Sequence, residues 1–388
     1  MKLAEKTECC GCWACAASCP QGCIRMERDT EGFLYPVVDE DICVNCGLCK
    51  ANCPVLRPAS LPESEPAAYA AFSRDEMLRR ASSSGGVFSE LAEEILSQQG
   101  AVFGAAYDNQ FSVQHICIET PEELEKLRGA KYAQSDLGST LSDVRARLEK
   151  KQLVLFSGTP CQVAGLKAYL RKEYANLICV DFICHGVPSP TAWQQYVQYQ
   201  AQMDGKLAIA ASVNMRAKDT GWSRYAYSTQ FRYADGTVRS TKNGDSLLMK
   251  LFVGDYLSRQ SCSNCQFKGY QRVSDLTLGD FWGIWNITPE MDDNKGTSVV
   301  LCHSERGAAL MESIADRLIL KQVTLEETSR ENPSLRISSQ AHPRRTEALS
   351  AAVHGDFALL QSWFVPRQAT PLQKLAEKLR QLRKRWGL

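Results

Sequence analysis

Apolar runs of strand length alternate with helically spaced apolar positions through most of the chain. Residues 101–107 and 111–118 read as strands, and 84–99 sets Val87, Leu91 and Ile95 on one helical face before Gly100 ends the run. Residues 141–150 read as a helix. Residues 153–156 form a short apolar strand that runs into Ser157, Gly158, Thr159, Pro160 and Cys161, with a helix at 163–171. Residues 177–183 make another buried strand, followed by Cys184, His185 and Gly186 and a helix from about residue 191. Residues 207–241 look like antiparallel strands with a turn at Asp235-Gly236, and 275–278 and 297–302 complete a sheet. This alternation predicts an α/β layer structure, a mixed sheet flanked by helices.

The ends of the chain are patterned differently. Residues 24–42 are apolar and punctuated by glycine, which suits a hairpin, and they lie inside a unit spanning 1–56. Pro54, Pro58, Pro62 and Pro66 then make 57–66 a semi-rigid extended linker. The α/β unit follows at 67–340, and a C-terminal segment at 341–388. In that segment Leu372, Leu375, Leu379, Leu382 and Trp386 form a stripe among lysines and arginines. A basic amphipathic helix of this kind can lie on an anionic membrane surface. Packing on its own domain or on a second subunit is the favoured reading, because helical stripes usually face a core.

Within 1–56 the cysteines repeat. Cys9, Cys12, Cys15 and Cys19 are followed by Pro20, and Cys43, Cys46, Cys49 and Cys53 by Pro54, both with the spacing C-x2-C-x2-C-x3-C-P. This is the bacterial dicluster ferredoxin run, in which the fourth cysteine serves the other cluster. It predicts a small α+β ferredoxin-like domain. One [4Fe–4S] cluster would be held by Cys9, Cys12, Cys15 and Cys53, the second by Cys43, Cys46, Cys49 and Cys19. Zinc has no use for a swapped fourth ligand. Cys10 and Cys23 fall outside the pattern and read as non-ligands. Gly11, Ala14 and Gly47 suit a backbone whose N–H groups approach cluster sulfides.

Composition narrows the class. The net charge of +1 over 388 residues gives no electrostatic case for nucleic acid. Seventeen cysteines, no secretory signal and no apolar run of membrane-spanning length predict a cytoplasmic protein with metal-bound thiolates rather than disulfides.

Four further cysteines stand at turns: Cys161, Cys184 and the pair Cys262 and Cys265. Neighbouring strand ends share one edge of a doubly wound sheet, so Cys161 and Cys184 could meet, and a C-x2-C pair could complete four ligands. The spacing equally allows ordinary buried cysteines beside a zinc-binding or empty C-x2-C pair. Cys117, Cys179 and Cys302 lie in apolar strands and read as inert. Three small-residue loops suit an anionic ligand: Ser82 to Gly86, Ser157 to Pro160, and Arg128 to Tyr132 with Lys131 as a cation. Read singly, serine and glycine before a helix are often only a cap. His185 could donate a proton or simply be a hydrogen-bonded turn residue, and Asp280 could contact a ribityl chain or ring.

Taken together, Ser84-Gly85-Gly86-Val87, Gly129 to Tyr132, Gly158 to Gln162, Cys184 to Gly186, Cys262 to Cys265 and Ser274 to Trp282 resemble the family of β subunits of coenzyme F420-reducing hydrogenase and dehydrogenase. Similar motifs occur in plant 7-hydroxymethyl chlorophyll a reductase. The resemblance spans about 67–340. It implies that Cys161, Cys184, Cys262 and Cys265 hold a third [4Fe–4S] cluster. It also implies that the loops hold FAD through Ser83, Ser84, Gly85, Gly86, Lys131, Tyr132, Ser157, Gly158, Thr159, Gln162 and Asp280. The expected activity is an iron–sulfur flavoprotein oxidoreductase. A ferredoxin or partner oxidoreductase would exchange electrons with it, and an organic substrate would accept hydride, with Lys131 and His185 as catalytic candidates. The competing expectations are a non-catalytic electron-transfer subunit and an accessory of a larger oxidoreductase or polymer-biosynthesis system.

Overall fold

The N-terminal repeat folds around a hairpin of Ile24–Arg28 (β1) and Leu34–Val38 (β2). Asp29 closes its turn by accepting the N–H groups of Glu31 and Phe33 at 3.0 and 2.9 Å. One-turn helices at Ala14–Ala17 and Leu48–Ala51 lie inside the two cysteine runs and carry their third cysteines, Cys15 and Cys49. The computed structural model describes residues 3–365; the stripe expected at 371–388 lies outside them.

Toward its centre the strands of the main sheet are apolar on both faces, as a sheet covered by two helical layers requires. They are Ala67–Ser73 (β3), Ala101–Tyr107 (β4), Val113–Ile118 (β5), Val154–Gly158 (β6) and Leu177–Phe182 (β7). After an excursion through Ser212–Ala217 (β8), Ser228–Arg232 (β9) and Val238–Lys242 (β10), the sheet resumes with Leu276–Asp280 (β11), Ser298–Cys302 (β12) and Leu318–Val323 (β13). The eight-stranded order is β13-β3-β12-β11-β7-β6-β4-β5. Strands β4, β6, β7 and β11 are parallel, while β12 and the two edge strands pair antiparallel with their neighbours.

Alternate residues serve opposite cores. Val102, Leu155 and Val180 pack with Leu91 and Ile95 of helix Val87–Ser97. Phe103, Phe156 and Cys179 pack on the other face with Leu141 of helix Thr140–Glu149 and Leu166 of helix Pro160–Leu170. Each fully buried apolar side chain contributes roughly 1.5–3 kcal/mol. The fold is therefore a mixed α/β sheet flanked by helices, preceded by a ferredoxin-like module.

Three features depart from the expected layout. Strands β8 to β10 form a separate three-stranded sheet, rather than leading into the main one. Helices Arg345–Val353 and Phe357–Ser362 share a core with Trp193, Tyr196 and Phe231, so residues expected in a separate segment from 341 pack with the preceding unit. Strands β3 and β13 were not anticipated. The first is rich in alanine, and the second is exposed over Leu320, Lys321 and Gln322 at the sheet edge.

The proline-bearing stretch does not leave the N-terminal module loose. Phe33, fully buried, joins the Trp193 core. Glu31 receives both terminal nitrogens of Arg345 at 3.0 and 2.7 Å. Helix Ala14–Ala17 packs on Pro160–Leu170, where a Cβ at Gly165 would stand 2.7 Å from Cys12 Cβ.

Candidate functional site

The two cysteine runs share an unusual backbone. Gly11 and Trp13 in the first, and Asn45 and Gly47 in the second, have positive φ at equivalent positions, from 52° to 79°. A bulky residue at positive φ is a genuine outlier. Its recurrence fits a run that turns successive N–H groups toward an anionic centre. Around each run the thiols face one cavity. Cys9, Cys12 and Cys15 are joined there by Cys53, and Cys43, Cys46 and Cys49 by Cys19. Burial pushes the Cys15 thiol above its ordinary range, helped by Cys12, Cys9 and Cys53. Cys46 is exposed, so the second cavity is the one nearer solvent. Of the two cysteines set aside, Cys23 lies 3.2 Å from Cys19. Cys10 borders both the first cavity and the one described next.

Cys161, Cys184, Cys262 and Cys265 line a third cavity. Cys161 is positioned by a capping box: Thr159 and Gln162 close the N-terminus of helix Pro160–Leu170 on each other. Cys184 follows β7, the parallel neighbour of β6. The turn Gln260–Asn264 carries Cys262 and is tied to the Cys184 segment by the Arg259 N–H donating to Val187 at 2.9 Å. Burial raises Cys262 to about 12 and also raises Cys184 and Cys265. Cys161 is lowered to about 7, first by its contact with Cys10 and against burial, with help from Thr159 and Arg259. Buried thiols that resist ionisation become thiolates when a metal centre supplies the counter-charge. Arg259, Lys268 and Arg272 line the same cavity. Among the described residues no three metal-binding side chains converge closely enough to share a single ion; these thiols surround volumes instead.

The loops expected to hold a flavin lie along the adjoining sheet edge, and much of their polarity is spent within the protein. Ser84 Oγ donates to Thr297 O at 3.0 Å, and the Gly85 N–H to Ser298 Oγ at 3.0 Å. Ser83 and Gly86 lie in the same loop, with Gly86 at the start of helix Val87–Ser97. Ser157 O is 2.9 Å from His115 Nε2, and Gln162 Nε2 donates to Ser135 Oγ at 2.9 Å. A Cβ at Gly158 would press on the side chains of Phe156 and Gln162 at 3.0 and 3.2 Å. Lys131 Nζ donates to the carbonyls of Leu127, Arg128 and Gly129, while burial lowers its pKa to about 7. Tyr132 stacks on Phe252 with ring centroids 4.6 Å apart. His185 is 2.8 Å from Asp255 and 3.3 Å from Ser334, so both ring nitrogens are occupied, as in the turn-residue reading.

Residues that the sequence did not single out join these loops. Strand β8 bulges between Asn214 and Ala217, and bulges re-aim side chains. Here the bulge places Arg216, whose Nη1 donates to Asp280 Oδ2 at 2.6 Å and to Tyr132 at 3.3 Å. Its Nε and Nη2 are buried without a partner. Lys218 donates to the carbonyls of Arg79, Ser84 and Lys295 at 2.6–2.7 Å. No spacing rule marks a lone arginine in a strand, and the bulge that turns it inward has no sequence signature here.

Residues 68–142 match the family model for the N-terminal part of the coenzyme F420 hydrogenase/dehydrogenase beta subunit, and 151–328 the model for its C-terminal part. The two cover well over half of the chain. The chain belongs to this family. Residues 8–56 match the 4Fe-4S dicluster domain. This family member is thus an iron–sulfur protein of the electron-transfer type, built as oxidoreductase subunits are. It is similar to a subunit of the F(420)H(2) dehydrogenase of Methanosarcina mazei, 24% identical over 210 residues, 48% of this chain and 58% of that one. Its N-terminal module is similar to the PorD subunit of pyruvate synthase of Methanothermobacter marburgensis, 37% identical over 51 residues, 13% of this chain and 53% of that one. The chain therefore spans little more than half the length of the curated relatives it matches. A chain of the F420-reducing [NiFe] hydrogenase complex from Methanosarcina barkeri superposes with a TM-score of 0.49 at 17% identity, over 77% of this chain and 92% of that one. Among the described residues no helix is long and apolar enough to cross a membrane.

Proposed function

We propose that this family member is an iron–sulfur flavoprotein that exchanges electrons between a one-electron carrier protein and an organic substrate. The observation carrying the proposal is the set of twelve thiols in three cavities, running from exposed Cys46 to a buried site on the edge of the sheet. Cys43, Cys46, Cys49 and Cys19 would hold the outer [4Fe–4S] cluster. Cys9, Cys12, Cys15 and Cys53 would hold the middle one, and Cys161, Cys184, Cys262 and Cys265 the inner one. The thiol number and the swapped fourth position fit cubane clusters. The unpartnered nitrogens of Arg216, beside Tyr132 and Asp280, fit an anionic or carbonyl group of a flavin. A flavin bound there supplies the conversion between single electrons and hydride. Arg216, and Lys131 when protonated, would stabilise negative charge, Tyr132 would flank the ring, and the outer module would meet the partner.

A second reading, a relay subunit without flavin, is favoured by one feature: Thr159 and Gln162 are consumed by a cap. Iron, sulfide and flavin quantitation on one anaerobic sample separates the two. About twelve irons and one flavin per chain support the flavoprotein. About twelve irons without flavin support the relay, and about eight irons remove the inner cluster.

A further inference from the structure

Arg259 is fully buried, yet among the described residues it forms no ion pair with a carboxylate. The acids near it are engaged elsewhere: Glu31 by Arg345 and Asp29 by Lys6 at 2.7 Å. Its hydrogen-bond partners are neutral and come from both halves of the protein. Nε donates to Cys9 O at 2.7 Å, Nη2 to Leu34 O at 3.0 Å and Nη1 to Gln134 Oε1 at 2.9 Å. The guanidinium lies 3.9 Å from the Tyr35 ring centroid and Nη2 is 3.8 Å from Cys9 Sγ. The fit leaves no slack, since a Cβ at Gly11 would stand 3.0 Å from Nη1. Arg259 also precedes the Cys262 pair by three residues and lines the cavity of Cys161 and Cys184.

A buried charge without a counter-charge costs several kcal/mol. The anionic groups available to this one are thiolates, those of Cys9 on one side and of the inner cavity on the other. We infer that Arg259 is a positioning residue whose guanidinium serves as the shared counter-charge of the middle and inner clusters, raising the reduction potentials of both and leaving the outer one untouched. Reduction adds negative charge to a cluster, so a fixed cation nearby favours the reduced form, and burial keeps water from screening it. The two clusters across the domain contact are thereby set together, apart from the cluster that faces solvent. The inference rests on the third-cluster reading above.

The test is an EPR-monitored redox titration of anaerobically purified full-length protein carrying Arg259→Gln. Two of three midpoints should fall by at least 59 mV, a tenfold change in each one-electron equilibrium, while the third stays. Arg259→Lys, which keeps the charge, should shift them less. Gln134→Glu sets a carboxylate against Nη1 without removing the arginine, and should also lower the same two midpoints. It decides the matter if Arg259→Gln assembles short of iron. Unmoved midpoints at full iron content overturn the inference, as does an equal fall in all three, which reports general loosening. Wild-type protein with about eight irons overturns the third-cluster reading, and this inference with it, before any variant is compared.

Discussion

Neutralising one carboxylate at the sheet edge tests whether the Arg216 pocket is built to receive an anion. Asp280 and Arg216 meet at 2.6 Å, with side-chain exposures of 18% and 4%. Burial works against the Arg216 charge, and Asp280, Tyr132 and Tyr227 more than offset it, so its pKa lies above the usual arginine range. In Asp280→Asn the guanidinium stays buried with Nε and Nη2 already unpartnered. Losing one partner of a buried pair costs roughly 3–5 kcal/mol. The partial exposure of Asp280 places this pair at about 3. The faces of Tyr227 and Trp282, 4.0 and 5.0 Å away, persist in the variant and offset little of the difference.

At a urea slope of about 3 kcal/mol per molar, the unfolding midpoint of flavin-free protein should fall by roughly 1 M. Tryptophan fluorescence follows the transition, with Trp222 stacked on Trp282 beside the arginine among the seven tryptophans. Flavin at about a hundred times its dissociation constant adds about 2.7 kcal/mol to any chain that binds it. If the free nitrogens of Arg216 face the flavin, the variant should recover part of its loss when flavin is present. A midpoint that does not move refutes the energetic argument for the pair. A loss of equal size with and without flavin refutes the placement of Arg216 against it.

Other substitutions read other parts of the site. Cys161→Ser should remove about four of about twelve irons and leave the ferredoxin-type spectrum, and unchanged iron would eliminate the inner cluster. Cys53→Ser should cost the middle cluster and Cys19→Ser the outer one, although each serine lies in the opposite run; EPR of the two variants should show complementary losses. Lys131 titrates near 10.5 when unfolded and about 7 when folded, so the unfolded chain holds the extra proton between those values and stability rises with pH across that window. Lys131→Met should flatten that rise by up to about 1.4 kcal/mol per pH unit, leaving the share of Lys218, which burial also lowers to about 7. Urea midpoints across the window that keep the wild-type slope would count against a buried, neutral Lys131. Gly165→Ala should weaken cluster retention in the N-terminal module without replacing a ligand, because the new methyl presses on the proposed ligand Cys12 at 2.7 Å; wild-type iron would refute that close packing.

What could be read from the sequence followed from how local each signal is. The two cysteine runs carry their geometry in their spacing, and strands such as β4, β6 and β7 announce themselves as unbroken apolar runs. The third cavity was visible as four cysteines at turns, since the adjacency of β6 and β7 makes their following residues neighbours. Arg216, Lys218 and Arg259 were not legible. Each is a lone cation in an ordinary segment, and its meaning comes from burial and from partners up to 250 residues away. Strand β13 was hidden for a different reason: Lys321 and Gln322 protect an exposed edge and dilute the apolar pattern.

The linker invites a picture of two separable modules, but the contacts across the boundary argue for a fixed pair. Phe33 fills the Trp193 core, Arg345 neutralises Glu31, and Arg259 grips Cys9 and Leu34 from beside the Cys262 turn. Each contact buries a group that would be costly to expose or leave unpaired. A swinging module would have to break all three at every encounter. Cys10 lines both the first and the third cavity, so the fixed module reaches the site at the sheet edge. The spacing between the first and third cavities is therefore built into the fold, and under the proposed function the variable encounter with a partner would fall to the exposed face around Cys46.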